Sequence, residues 1–206
     1  MFKEDLEKHL GRQVQMENDA NCLALSESVD GAAKGLKVVF GVILGTGCGG
    51  GVVVDQKILK GCQGLAGEWG HIALPMRVPR DSVPRVCWCG QKDCLESYLS
   101  GPAIESEFFR ITGAKVALEQ ISLSDDHSSR IVLEYFVQRL AGALAVVVNV
   151  LDPDCIVLGG GVSNIIDLPD RVSKALGAYV FGGKCKTPIV RAMHGDSSGV
   201  RGAAWL

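Results

Sequence analysis

The 206 residues carry no excess of either charge: 21 Lys and Arg stand against 23 Asp and Glu, a net charge of −2 with a pI near 6.1. That balance gives no global attraction to nucleic acid or to an anionic membrane. Long hydrophobic runs are also scarce. The longest, Leu140 to Leu151, is broken by Gly142 and Asn149 and falls short of the ~20 apolar residues a membrane span needs. The opening MFKEDLEKHLGR has no apolar core of signal-peptide type. There is no internal repeat, no low-complexity linker and no Gly-Lys-Ser/Thr completing a Walker A loop. With 47% hydrophobic residues and a mean hydropathy of +0.21, the expectation is a soluble cytoplasmic chain of one to two domains, with neither nucleic acid nor membrane as partner.

Glycine is abundant instead, 26 of 206 residues, roughly twice its usual share. The glycines cluster, which suggests loops where backbone approaches a ligand. Eight cysteines without an export signal read as reduced thiols and a metal site, not as a disulfide framework.

Hydrophobic periodicity predicts a helix over 2–10, a short strand at Val14–Met16 and a helix through Leu23, Leu25 and Val29 ending near Gly31. It then predicts a buried strand over Val38–Leu44, a glycine loop over 45–51 and a second strand at Val52–Val54. A loop-rich region spans 61–102, and a long helix runs from about Ser128 to Leu151, stopped by Asp152-Pro153. A strand at Cys155–Leu158, a helix near 170–178, a strand near 188–192 and a final helix from Ser198 follow. The alternation makes the class α/β.

Four groups of residues carry chemistry. His71 with Cys87, Cys89 and Cys94 makes a Cys₃His set suited to tetrahedral zinc, and with all four positions filled by protein that zinc is structural. Glu68, in GLAGEWGH, and Glu96 flank that loop; they read either as solvated acids or as carboxylates accepting a polyol's hydroxyls. Asn18-Asp19, between strand and helix, reads either as a helix N-cap or as a general base at the carboxyl edge of a sheet. Finally, Leu44–Gly51 and Gly159-Gly160-Gly161 could present backbone N–H groups to phosphate oxygens, although a lone glycine loop is weak evidence.

Taken together, ENDAN at 17–21, ILGTGCGGG at 43–51, GEWGH at 67–71, CWCGQKDCLE at 87–96, LDPDCIVLGGGVSN at 151–164 and HGDSSGVRGAA at 194–204 resemble the ROK family (repressor, open reading frame, kinase). The resemblance implies an actin/hexokinase-like, ribonuclease H-like ATPase fold. It implies that Asp19 is the catalytic base and that Asn18, Asp19, Glu68, His71 and Glu96 contact sugar. Thr46 and Gly47 would match a phosphate loop, Gly159, Gly160 and Gly161 the adenosine loop, and His71, Cys87, Cys89 and Cys94 the zinc site. ATP, Mg²⁺ and structural Zn²⁺ are the implied cofactors, a hexose the substrate and a homodimer the assembly. The motifs look closest to bacterial fructokinases, with fructose 6-phosphate as product; kinases for N-acetylglucosamine, mannose or glucose are the alternatives, and a sugar-responsive repressor or a non-catalytic remnant the rivals. Such kinases open with Asp-x-Gly-Gly-Thr, a run this sequence does not contain. The chain is therefore expected to be an N-terminally truncated kinase: 1–31 the remnant of a first lobe, 32–206 a second lobe with the zinc loop at about 61–100 and a C-terminal helix returning to the first.

Overall fold

Strand β1 (Val38–Leu44) is apolar almost without interruption because helices cover both its faces. The computed structural model describes residues 2–206, and the Asp196 side chain lies outside that description. The sheet has five strands in the order β3-β2-β1-β4-β5, where β2 is Cys48–Val54, β3 Lys57–Ile58, β4 Cys155–Gly159 and β5 Ile189–Arg191. β1 runs antiparallel to β2 and parallel to β4, and β5 is parallel to β4. This is the mixed α/β architecture the sequence alternation predicts.

The strands' period of two sorts the core into two layers. Phe40, Val42, Leu44, Ile156 and Leu158 face the long helix α6 (His127–Leu151), whose Phe136, Leu140 and Leu144 complete that cluster. Val39, Val53, Cys155 and Val157 face the other way, onto Ala24 and Leu25 of α2 (Asp19–Val29). Asp126 caps α6 by accepting the Ser128 and Ser129 N–H groups at 2.8 and 3.0 Å. By length and composition α6 could cross a membrane, but two-thirds of its apolar window is buried as the core helix of this fold. Its extent agrees with the helix expected from about Ser128 to Leu151, with the buried face starting at Ser129.

Three expectations change. Residues 14–16 form no strand: no neighbouring strand pairs with them, Met16 is exposed, and the Val14 N–H goes to the Glu7 carboxylate of α1 (Phe2–Leu10). The glycine loop shrinks to Gly45–Gly47, because β2 begins at Cys48 and includes Gly49, Gly50 and Gly51. The reason is steric. α2 lies so close to the sheet that a Cβ on Gly51 would stand 2.5 Å from the Ala20 carbonyl oxygen, and one on Gly159 2.3 Å from Leu23 Cδ1. Lastly, α3 (Glu96–Leu99) and α4 (Gly101–Thr112) begin inside the region that reads as loop, and α5 (Leu118–Leu123) follows. Ser100 caps α4 and Pro102 occupies its first turn, so the start signal was present.

Helices α7 (Leu168–Leu176) and α8 (Ser198–Ala203) complete the chain. α7 buries Leu168, Val172 and Leu176 against the α6 layer.

Candidate active site

The carboxyl ends of the parallel strands β1 and β4 lie side by side, with Ile43 opposite Gly159. The turn Gly45–Gly47 leaves one end and Gly160-Gly161 the other, at the edge where open α/β sheets bind ligands. Gly160 has a φ of 80° and its carbonyl accepts the Ser163 hydroxyl at 2.7 Å, which fixes the turn into the following 3₁₀ helix. Thr46 is exposed, and Gly45 N–H closes the first turn on the Gly47 carbonyl at 3.0 Å.

Asn18 and Asp19 stand at the start of α2, on the same edge. Asn18 is the cap: its Oδ1 accepts the Ala20 N–H at 2.8 Å. Asp19 Oδ1 shares that donor at 2.8 Å, and the carboxylate is exposed. The cap and the candidate base are thus adjacent residues: the capping alternative falls to Asn18, which leaves the Asp19 carboxylate exposed beside it. Asp19 lines a cavity of about 490 Å³ with Glu17, Cys22, Ile43, Gly160 and Gly199. A larger cavity of about 780 Å³, between the start of α6 and α7, contains none of the expected site residues.

Glu17, which the motif placed but to which no role was given, organises the entrance to α2. Its carboxylate takes the Asn18 N–H, the Asn21 amide and the Lys60 ammonium, the last at 2.6 Å. Burial pushes its pKa up, but Lys60 and the two N–H donors outweigh that and hold it below the ordinary value. The Cys22 thiol is pushed up by burial and by the Glu17 and Asp19 charges.

β2 is the seat for the remaining groups. Trp69 is buried edge-on against Phe40, and its indole N–H donates to the Gly49 carbonyl at 2.8 Å. That holds GEWGH on the strand, with Glu68 exposed and His71 half-buried. Glu96, the first residue of α3, accepts the Cys48 N–H at 3.0 Å and the Trp88 indole N–H with its other oxygen. Thr46 and Glu96 line a second cavity of about 300 Å³ with Cys87 and Trp88. Glu68 and His71 line neither this cavity nor that of Asp19.

The four candidate metal ligands converge. The donor atoms of His71, Cys87, Cys89 and Cys94 all lie within 4.8 Å of one another. Cys87 Sγ is 3.7 Å from His71 Nδ1 and Cys89 Sγ is 3.6 Å from Cys94 Sγ. Ligands about 2.0–2.3 Å from zinc in a tetrahedron have edges of about 3.3–3.8 Å, so the donor set fits that ion. The turn that makes this possible is Cys87–Gln91, where the Cys87 N–H bonds the Gln91 carbonyl at 2.9 Å and Gly90 adopts a φ of 90°.

Behind the Cys87–Cys94 loop lies a buried ionic network with no signal in the sequence. Arg139 of α6 grips Asp81 through two bonds, at 3.0 and 2.6 Å, and Arg85 pairs with Glu107 of α4. Arg85 also stacks over the Tyr98 ring at 4.0 Å, and the Tyr98 hydroxyl donates to Asp93 at 2.6 Å.

The whole chain, residues 1–206, matches the model of the ROK family. It is 42% identical over 213 residues to an N-acetyl-D-glucosamine kinase of Vibrio atlanticus, covering all of this chain and 70% of that one. A ROK hexokinase from Thermus thermophilus superposes with a TM-score of 0.87 at 32% identity, over 98% of this chain and 67% of that one. A ROK glucokinase from Streptomyces griseus, solved with glucose and AMPPNP, does so with a TM-score of 0.83 at 29% identity, over 98% and 70%. The chain therefore spans about 70% of the length of such relatives, shares their hexokinase-like fold and belongs to the ROK family.

Proposed function

We propose that this ROK sugar kinase transfers the γ-phosphoryl group of ATP to the 6-hydroxyl of a hexose, with N-acetylglucosamine ahead of fructose, mannose and glucose. The observation that carries the reading is the position of Asp19: an exposed carboxylate at the first turn of α2, in one cavity with Gly160 at the carboxyl edge of the sheet. The sugar preference rests on relatives such as the N-acetyl-D-glucosamine kinases of Vibrio atlanticus and Vibrio cholerae, each 42% identical to this chain.

Asp19 takes the proton of the sugar's primary hydroxyl as that oxygen attacks phosphorus. Asn18, Glu68, His71 and Glu96 orient the remaining hydroxyls, and backbone N–H groups of the Thr46-Gly47 and Gly159–Gly161 turns face the nucleotide. Most of the catalysis is positioning. Mg²⁺ would supply charge neutralisation at the transferred group. His71, Cys87, Cys89 and Cys94 would hold a structural zinc, which would tie the loop bearing Glu96 to the GEWGH loop. His71 would bind the metal through Nδ1, the nitrogen facing Cys87, and keep Nε2 for the sugar.

A coupled ADP-release assay over the four sugars tests this. The expected result is turnover with N-acetylglucosamine at the highest kcat/KM. Preference for fructose would overturn the sugar assignment, and no turnover with any hexose would overturn the kinase reading of this chain.

A further inference from the structure

The motif HGDSSGVRGAA at the carboxyl end has no part in the mechanism above, yet it is tied to α2 by the most completely satisfied buried carboxylate in the described residues. Glu27 is fully buried, and its two oxygens accept four hydrogen bonds. One comes from Ala32 N–H, at 2.8 Å, within the turn that follows α2. The other three come from the far end of the chain: Met193 N–H at 3.0 Å, His194 N–H at 3.2 Å and the Ser198 hydroxyl at 2.8 Å. At the rim, Asp30 adds the Arg201 guanidinium and His194 Nε2, the latter at 3.2 Å.

These bonds decide where α8 lies. A Cβ on Gly202 would stand 1.8 Å from the Cys22 carbonyl oxygen, so α8 rests directly on the α2 backbone. One turn earlier, Gly199 rests against the backbone of Asp19, where a Cβ would be 3.8 Å from its carbonyl oxygen. Gly195, Gly199, Val200 and Ala203 then line the same cavity as Asp19, Cys22 and Gly160.

We propose that Glu27 is a positioning residue for the phosphoryl transfer: by gripping residues 193–198 it seats α8 as a wall of the Asp19 cavity and fixes the backbone that presents the catalytic carboxylate. The proposal rests on the kinase reading only for its effect on turnover. A displacement of about 1 Å at a catalytic group is enough to cost up to about a hundredfold in rate, so loosening this seat reduces kcat. It raises KM for the hexose much less than it lowers kcat, because of the four sugar-orienting residues only Asn18 sits at the start of α2, whereas Glu68, His71 and Glu96 are held by β2 and the metal loop and not by α8.

Cys22 provides a readout that needs no turnover. Its thiol is 4% exposed beneath α8, whereas Cys155 is buried in the sheet and reports global opening. The experiment compares the native chain with Glu27→Gln, which turns an N–H₂ toward backbone donors, and with the milder Ser198→Ala, which removes one of the four bonds. Alkylation by iodoacetamide is followed at each cysteine by mass spectrometry, alongside kcat and KM. The expected result is Cys22 labelling about tenfold faster in Glu27→Gln and severalfold faster in Ser198→Ala, with Cys155 unchanged and kcat falling in the same order. Equal acceleration at Cys22 and Cys155 would make Glu27 a general stability residue and overturn the proposal. So would native labelling rates in both variants, or fast Cys22 labelling with unchanged kcat. If the native chain phosphorylates no hexose, the kinase reading fails, and the Cys22 to Cys155 ratio still decides whether Glu27 seats α8.

Discussion

Glu96 accepts the Cys48 N–H at 3.0 Å, so the first residue of α3 is bonded to the first residue of β2. Its other oxygen holds the Trp88 indole, which itself meets His71 edge-on at 5.1 Å. One carboxylate therefore connects the Gly45–Gly47 turn, the Cys87–Cys94 loop and His71. It also pushes the buried Cys48 thiol up, second to burial itself. Glu96→Ala leaves the Cys48 N–H without its acceptor, a loss of about 1–3 kcal/mol for a buried group. Glu96→Gln keeps an acceptor for that N–H. The alanine variant is expected to lower the melting temperature and raise the hexose KM, and the glutamine variant to raise KM with a much smaller loss of stability. Equal melting losses in the two would show that the bond to Cys48 contributes nothing.

The adjacency of the cap Asn18 and the proposed base Asp19 makes their roles separable. Asp19→Asn preserves size and the bond to Ala20 N–H, and Asn18 remains the cap. Stability is expected to be unchanged within a few tenths of a kcal/mol, while loss of the proton acceptor lowers kcat by about 10²–10⁴. Near-native turnover combined with an early melt would assign Asp19 to capping instead.

Much of this site was legible in one dimension, for identifiable reasons. The metal ligands were readable because three thiols within eight residues must share a neighbourhood whatever the fold. Asn18-Asp19 was readable as a pair with two alternative roles, and the structure gives the cap to Asn18. The glycine run misled, because a glycine that bends a turn and a glycine that makes room for a helix look alike in sequence. Only the approach of Ala20 to Gly51 distinguishes them. Glu27 could not be found at all: three of its four partners lie more than 160 residues away, and in sequence it is one more polar residue in a helix. The Arg139–Asp81 pair is hidden in the same way, by a separation of 58 residues.

Zinc content is the direct check on the metal loop. Protein purified without chelator is expected to hold one zinc per chain by elemental analysis. Removing it should lower the melting temperature and weaken hexose binding together, because Glu96 and GEWGH depend on the same loop. Absence of zinc in fully folded, sugar-binding protein would overturn the assignment.

Glu27 also predicts the acid limit of stability. Burial raises its pKa, but the Ala32, Met193, Ser198 and His194 donors together bring it below the ordinary carboxylate value. A carboxyl whose folded value is lowered stabilises above its unfolded value, and that contribution is lost as pH falls through the folded one. Asp30, where desolvation pushes up but Arg201 and His194 together outweigh it and draw the carboxyl down, titrates in the same direction. Melting temperature followed from pH 7 down to 3 is expected to fall more gently in Glu27→Gln than in the native chain, with the residual slope belonging to Asp30 and other carboxylates. Parallel curves would show that the Glu27 proton is not linked to folding.

The strongest stability effect is expected at Asp81 and Arg139, because neither has access to water: their side chains are 0% and 2% exposed. Asp81→Asn leaves the Arg139 charge buried without its bidentate partner, although Glu107 stands 3.7 Å away. Breaking a buried pair from one side typically costs about 3–5 kcal/mol, whereas replacing both partners by apolar groups of similar volume is often neutral. Urea denaturation should therefore show a large loss for Asp81→Asn and a smaller one for the double variant Asp81→Leu, Arg139→Met. The loss in the single variant is also expected to release the metal loop, since Asp81 accepts the Val78 N–H at 3.0 Å and the Asp81 carbonyl accepts from Arg77 at 2.9 Å. Zinc retention is then the measurement that ties core electrostatics to the site. If Asp81→Asn unfolds early yet keeps its metal as tightly as the native chain, the network supports the core alone and does not hold the loop.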